Sequence, residues 1–558
     1  MTPPRFKQLI IASVIGVGSL LFVSAASSGS FFEVTKQLDI FTTLYRELNT
    51  YYVDTLNSTQ LIQSGIVAMT QSLDPYTDYI PEDDIQEYRQ QTTGRYGGIG
   101  ALISTRGDFV IITDPYEDCP AAKAGLRPGD KLIEIDGKSV RKDNSDNVSK
   151  LLRGKSGTSV LVKILRAQAD DTEKEIPITL TREEIKIKNV PYYGVLKNDI
   201  GYIRLGSFTE RAGLEVRNAM ISLITKNKIK GLVLDLRGNP GGLLNEAINV
   251  ANCFVDRGVE IVNTKGKIKE QMNGYLTQQD PVDTKLPLVV LVDEGSASAA
   301  EIVSGSLQDL DRAIIIGDKT YGKGLVQSTH SLPYNAKLKI TTAKYYIPSG
   351  RCIQAINYAD KKEDGSVQKM ADSLKVAFKT KGGRTVYDGV GIEPDINIEN
   401  EKLSQVAIAL YIQNMLFDYA VKYRAKTPSI SAAKNFTLTD AEYNDFVKYV
   451  TDKKDFKYST QSEKLLKDLQ ATSEKEMLYT TIKHDIEIMQ KKLEHDKTND
   501  LMKDKKTIKE LLEQEICSHY YLGAGRIEST IQSDPDVEKA IETLSDTQKT
   551  QSILQAKK

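Results

Sequence analysis

The sequence predicts a multidomain α/β protein, with a β-rich module ahead of the α/β core and helical regions at both ends. Three observations carry this. The chain has 558 residues, more than one hydrophobic core organises. Its composition, 40% hydrophobic and 27% charged, is that of folded protein and not of a disordered chain. Its texture changes near residues 94, 184 and 401, from helical periodicity to short β-rich runs, then to alternating strand and helix, then back to charged helices.

Each segment follows from its residues. In 1–30, Arg5 and Lys7 precede LIIASVIGVGSLLFV and the small-residue stretch SAAS, the layout of an export signal. The apolar run 9–26 reaches the lower edge of a membrane span, so a cleaved signal and a retained inner-membrane anchor both fit; either way the body is expected in a bacterial periplasm. Residues 31–93 are predicted helical, with apolar residues three and four apart in FFEVTKQLDIFTTLYRELNTYYV and turn signals in SLDPYTDYIPEDD. Residues 94–183 hold β-rich runs such as FVIITDP, DKLIEIDGKSV and TSVLVKILR between Gly, Pro and Asp. Residues 184–400 alternate: GYIRLGSF, GLVLDLRG, LPLVVLVD and AIIIG read as strands, and the stretches between them read largely as helices. That pattern predicts a largely parallel sheet with its site at the strand C-termini. Residues 401–558, including TIKHDIEIMQKKLEHDK, are predicted amphipathic helices packed on the core; capping, dimerisation and adaptor binding are roles open to them.

Composition narrows the function. A net charge of −1 points away from nucleic acid. Cys119, Cys253, Cys352 and Cys517 are far apart, with no C-x-x-C or Cys/His cluster, so neither a zinc site nor a redox dithiol is expected, and a chance disulfide stays open. A Ser-His-Asp enzyme would have to draw its base from His330, His484, His495 or His519.

Three stretches of the core carry potential chemistry. DLRGNPGG, 235–242, follows a buried strand; such a turn needs these residues anyway, and it also presents backbone N–H donors suited to an oxyanion. DEGSASAAEIVSGSLQD, 293–309, follows another. Its Ser298-Ala-Ala-Glu301 is a capping-box signature, and the Ser298 hydroxyl and Ala299 amide would stand at the positive end of a helix dipole. GDKTYGKGLVQ, 317–327, resembles a P-loop only until Gly324, which stands where Ser or Thr would hold Mg²⁺, and the following LVQSTHSLP looks extended where a P-loop needs a helix. Lys323 is better read as a general base for a serine, provided it is desolvated enough to be neutral. His330 is the rival base, and a surface loop lysine is the plain alternative.

These residues carry a family resemblance. LDPYTDYIPEDD, GGIGALI, PAAKAGLRPGDKLIEIDG, GYIRLGSF, DLRGNPGGLL, DEGSASAAEIVSGSLQD, YGKGLVQ, YYIPSGRCIQ and GVGIEPDI occur in the order found in the carboxyl-terminal processing (tail-specific) serine peptidases. Residues 94–183 resemble a PDZ domain, with YGGIG as its carboxylate-binding loop. The resemblance implies a Clp-protease/crotonase-like α/β peptidase core and a serine endopeptidase that needs no cofactor or metal. It implies Ser298 as nucleophile, Lys323 as base and Gln327 as its assistant. It further implies an oxyanion hole from the Ala299 amide and one of the N-P-G-G turn, Gly241 first and Gly242 second. Gly97, Gly98, Ile99 and Gly100 would receive the substrate's C-terminus by β-augmentation. Glu301 and Asp309 match positions that support the site's structure. Partners are then proteins or peptides with free C-termini; an adaptor, a membrane tether and self-association remain open. The alternative is a non-catalytic PDZ scaffold on a degenerate peptidase fold, which should lack Ser298, Lys323 or Gln327.

Overall fold

The computed structural model describes residues 28–361, 367–369, 375–398, 403–493, 497–531 and 533–555. The run 9–26, expected to be signal or anchor, lies outside them. No helix among the described residues is long and apolar enough to cross a membrane. The chain divides into two compact units after Tyr79.

The first unit contains α1 (Ser28–Tyr51) and α2 (Ser58–Gln71). Asn57 caps α2 by accepting the Gln60 amide at 3.1 Å, which satisfies one of the orphan donors of a helix start. Beyond α2, the Asp74 carboxylate accepts the Tyr76 and Thr77 amides, both at 2.8 Å, and so closes the Asp-Pro turn.

The second unit opens on α3 (Ile85–Thr93), which ends at Gly94 in the left-handed conformation. A β-rich module follows. It consists of β1 (Arg95–Gly98), β2 (Ala101–Arg106), β3 (Phe109–Pro115), β4 (Lys131–Ile135), α4 (Ser145–Leu152), β5 (Ser159–Ala167), β6 (Glu173–Thr181) and β7 (Glu183–Lys186). Strands β2 to β6 pair antiparallel in chain order, and β1 pairs with β7. Val160, Val162 and Ile164 of β5 are buried with Leu132 and Ile135 of β4 and Val148 of α4, as a half-buried strand of period two requires. Strand β2 stands at the edge of this sheet, so one row of its backbone groups is open to another chain.

The α/β core comprises β8 (Tyr192–Val195), β9 (Ile200–Arg204), α5 (Ala212–Ser222), β10 (Gly231–Asp235), α6 (Leu244–Ala251), β11 (Glu260–Gly266), β12 (Gly274–Leu276), β13 (Leu288–Val292), α7 (Ala299–Asp309), β14 (Ile314–Gly317), β15 (Leu325–Ser331), β16 (Lys337–Tyr346) and β17 (Ile396–Asn397). Six strands form the main sheet in the order β8-β9-β10-β13-β14-β17. All neighbours are parallel except the β8–β9 pair. The runs GLVLD and LVVLV are fully buried because both sheet faces are covered. On one face Leu234, Val290 and Ile315 meet Val216 of α5, Ala247 of α6 and Ala300 of α7. Strands β15, β16, β11 and β12 pair antiparallel in a separate sheet.

The C-terminal region contains α8 (Gln405–Ile412), α9 (Met415–Lys426), α10 (Asp440–Asp452), α11 (Gln461–Lys475), α12 (Tyr479–Leu493), α13 (Lys505–Thr530), α14 (Pro535–Ser545) and α15 (Thr547–Leu554). Its own core joins Leu410, Tyr419, Phe446, Leu512 and Ile516. It is also tied into the rest of the unit. Arg106 at the end of β2 bonds Asp418 at 2.9 Å and lies 4.1 Å over the Phe417 ring. Val537, Ala540 and Leu544 of α14 pack with Val233, Val289, Leu291 and Ile314 on the second face of the main sheet. Of the helices expected to pack on the core, α14 does so, while Leu410, Tyr419, Phe446, Leu512 and Ile516 of α8, α9, α10 and α13 gather in a core of their own.

Candidate active site

Strand β13 ends at Val292, and the chain turns through Asp293–Ala297 into α7. Ser296 is fully buried; its hydroxyl donates to the Leu236 carbonyl at 2.8 Å and accepts the Asp293 amide at 3.0 Å. It is a turn residue. Ser298, half-buried, stands immediately before α7 with φ 53° and ψ −112°. That combination costs an L-residue about 1–3 kcal/mol, so the surroundings must hold it.

Glu301 does much of this. Fully buried one turn into α7, its carboxylate accepts the Ser298 amide at 2.9 Å and the Lys323 amide at 2.8 Å on one oxygen. The other oxygen accepts the Thr320 hydroxyl at 2.6 Å and the Gly322 amide at 2.7 Å. Burial raises the acid to about 7, while those four donors pull the other way. The Tyr345 hydroxyl, on β16, lies against the carbonyl oxygens of both Lys323 and Ser298. A buried carboxylate and a buried phenol thus bind the backbones on either side of the site to each other. The S-x-x-E spacing pointed to Glu301, whereas Thr320 and Tyr345 carry no local signal.

The N-P-G-G turn closes the third side. Asn239, fully buried, donates its side-chain amide to the Leu205 carbonyl at 2.7 Å, and its backbone carbonyl accepts the Ala297 amide at 2.9 Å. Gly241 has φ 94°, and a Cβ there would stand 2.8 Å from the Ser298 Cβ, so only glycine permits this approach. The Gly241 amide, however, donates to the Asn239 side-chain oxygen at 2.9 Å. Gly242 (φ 148°) makes no such amide bond among the described residues, so in this conformation it is the second-choice glycine, not Gly241, whose N–H is left for a ligand. The Ala299 amide opens the first turn of α7 and has no partner within the helix.

Ser298, Ala299, Gly241, Gly242, Lys323 and Gln327 all line one cavity of about 450 Å³. Gln327 is oriented by Thr341 on β16, to whose hydroxyl it donates at 3.2 Å. His330 is exposed near the end of β15 and does not line the cavity, which removes the rival base. Residues 325–331 form a strand, so no helix follows the glycines as a P-loop would need. Asp309 lies at the far end of α7, where it forms a fully buried ion pair with Arg351 at 2.9 Å; its place is structural. Behind the turn, burial alone would raise the Asp235 carboxyl, but Arg237 and Arg204 hold it well below the usual range. Arg237 also reaches Asp534 at 2.8 Å and Asp536 at 3.0 Å, beside α14. All four cysteines are free thiols, and the described residues contain no cluster of three or more potential metal ligands.

A second cavity of about 200 Å³ lies between β2 and α4 in the β-rich module, lined by Gly98, Ile99, Ala101, Ile103, Leu152 and Arg153 among others. Of the four loop residues singled out in the sequence, Gly98 and Ile99 line it. Gly97 and Gly100 are small for packing reasons: a Cβ would stand 2.1 Å from the Gly154 carbonyl oxygen at Gly97 and 2.4 Å from the Cys119 Cβ at Gly100.

A sheet edge beside a helix in one module, and a serine and a lysine under glycine turns in the other, define an α/β peptidase carrying a PDZ domain. Residues 199–360 match peptidase family S41, 111–166 a PDZ domain, and 406–544 the C-terminal helical domain of a probable PDZ-protease. A carboxy-terminal-processing protease of Bartonella bacilliformis is 39% identical over 324 residues, covering 58% of this chain and 73% of that one. A probable CtpA-like serine protease of Staphylococcus aureus is 33% identical over 426 residues, 75% of this chain and 82% of the relative. The chain belongs to the carboxyl-terminal processing serine peptidases. Among solved structures, the photosystem II D1 C-terminal processing protease is 27% identical, covering 65% of this chain and 93% of that one, with a TM-score of 0.35.

Proposed function

We propose that this chain is an exported endopeptidase that takes unstructured C-terminal tails on its PDZ domain and cleaves them with a Ser298/Lys323 dyad. The observation that carries this is the convergence of a strained Ser298 and Lys323 on one cavity, their amides fastened to the same Glu301 oxygen. Neutral Lys323 takes the hydroxyl proton as Ser298 Oγ attacks the scissile carbonyl carbon. The resulting oxyanion is held by the Ala299 and Gly242 amides. Lys323 returns the proton to the leaving amine, the C–N bond breaks, and an acyl-enzyme remains. Water then attacks that ester, Lys323 takes its proton, and Ser298 is released protonated with a peptide carboxylate. Gln327, held by Thr341, orients Lys323.

At the PDZ cavity the tail would add as a strand to β2, with its last side chain between Ile103 and Leu152 and its carboxylate at the loop amides. Export to the periplasm, with or without a tether through 9–26, is part of the same reading; fractionation of cells expressing the full chain tests it. Retention of Ser298, Lys323 and Gln327 argues against the non-catalytic scaffold. The decisive experiment offers a purified protein with a floppy apolar tail to wild type, Ser298→Ala and Lys323→Ala. Both variants should lose at least about 10³-fold in rate. Cleavage by either at the wild-type rate would end the dyad reading, and tail binding without cleavage by wild type would restore the scaffold.

A further inference from the structure

The catalytic cavity holds a second cation. Lys339 lines it together with Lys323, and no carboxylate is among the described lining residues. Glu301, which accepts the Ser298 and Lys323 amides, is fully buried and occupied by four donors. Lys339 lies on β16 opposite Thr329 of β15, and the neighbouring pair on the same face is Gln327 with Thr341. The Thr329 hydroxyl is 2.6 Å from that of Tyr88 on α3, and both residues line the cavity. Lys339 is half-buried, and among the described residues it makes no ion pair or hydrogen bond. A half-buried ammonium with no counter-charge among the described residues, beside a peptide-binding cleft, is poorly satisfied by them. Its complement is an anion brought by the substrate.

We propose that Lys339, with the Thr329 and Tyr88 hydroxyls beside it, forms a subsite for a substrate carboxylate close to the scissile bond. This rests on reading the cavity as the peptidase site. The carboxylate is supplied by an Asp or Glu side chain or by the terminal carboxylate of a short tail. Lys339 is thereby a specificity-determining residue, distinct from the dyad in what it contacts.

The test uses the full chain and a set of fluorogenic peptides that share one cleavable sequence. Glu, Gln or Lys is placed at each of the positions flanking the scissile bond, and every peptide is made with a free and an amidated C-terminus. Wild type should prefer Glu over Gln at one position by about three- to tenfold in kcat/KM, the worth of a partly screened charge pair. That ratio should fall to about one in Lys339→Gln and turn in favour of Lys in Lys339→Glu. If the free-over-amidated ratio is the one that collapses, the terminal carboxylate is the source and the subsite stands. The proposal is overturned if wild type shows neither preference, or if Lys339→Gln leaves the preference intact. It is equally overturned if that variant slows every peptide by one common factor with a shifted pH profile, which would place Lys339 on Lys323 rather than on substrate. Ser298→Ala run alongside separates the two readings: undiminished cleavage by that variant would sink the peptidase assignment itself.

Discussion

A single side chain, Glu301, sets the geometry of this site, because its two oxygens satisfy the amides of Ser298, Gly322 and Lys323 and the Thr320 hydroxyl. In Glu301→Gln one of those oxygens becomes an NH2 group that faces N–H donors. At least one buried donor then goes unsatisfied, at about 1–3 kcal/mol. The expected result is a melting temperature lowered by several degrees and a kcat reduced tenfold or more with KM little changed, read by calorimetry and steady-state kinetics. The carboxyl also titrates. Its folded value, about 7, lies above the ordinary carboxylate range, so the folded chain holds this proton more tightly than the unfolded one. Its contribution to stability is therefore full below about pH 4.5 and is lost as pH rises through about 7. Comparing melting temperatures at pH 5 and pH 8, wild type should lose more on going to pH 8 than Glu301→Gln does; an equal loss in both would refute this assignment. The sequence signalled Glu301 through its spacing from Ser298 on one helix. It was silent on Tyr345 and Thr320, whose partners lie far along the chain, on Lys339, and on the competition between the Asn239 side chain and a ligand for the Gly241 amide.

At the level of elements, the site stands at the C-terminal ends of β10 and β13, where parallel strands leave backbone groups without ladder partners. The alternating texture of 184–400 made those strands legible, since a sheet covered on both faces leaves uninterrupted apolar runs. Register was not legible. The shift between Val326 and Gln327 decides which β15 side chains share a face with Thr341 and Lys339, and no local residue pattern announces it. In the PDZ domain the proposed recognition elements are edge strand β2 and helix α4, which border the cavity. A Cβ at Gly98 would come 2.9 Å from the Tyr96 ring, so Gly98→Val should fill the cavity floor. Its affinity for a fluorescent apolar tail peptide should fall about tenfold or more by anisotropy, towards that of wild type for the amidated peptide. Unchanged binding would move tail recognition away from this cavity.

Over the whole molecule, the second unit has three bodies, PDZ domain, peptidase core and helical region, and the helical region touches both of the others. Arg106 on β2 meets Asp418 and Phe417 of α9, while Arg237, just beyond β10, meets Asp534 and Asp536. Charged helices read from sequence as packing on the core, but nothing in their periodicity says which face they cover. Removing Arg237's charge leaves Asp235 and Asp536 buried without it, so Arg237→Met should destabilise the chain by about 3–5 kcal/mol. Denaturant unfolding checks this, and a loss under 1 kcal/mol would mean that the network is dispensable. The seating of α14 on the main sheet has a further consequence, in time rather than space. Val233, Val289, Leu291 and Ile314 emerge from the ribosome long before Val537, Ala540 and Leu544, which cover them. Until α14 arrives, this face of the peptidase sheet lacks its cover, and the unfinished chain exposes apolar surface. A chain built in this order completes the apolar cover of its main sheet only once α14 has been made.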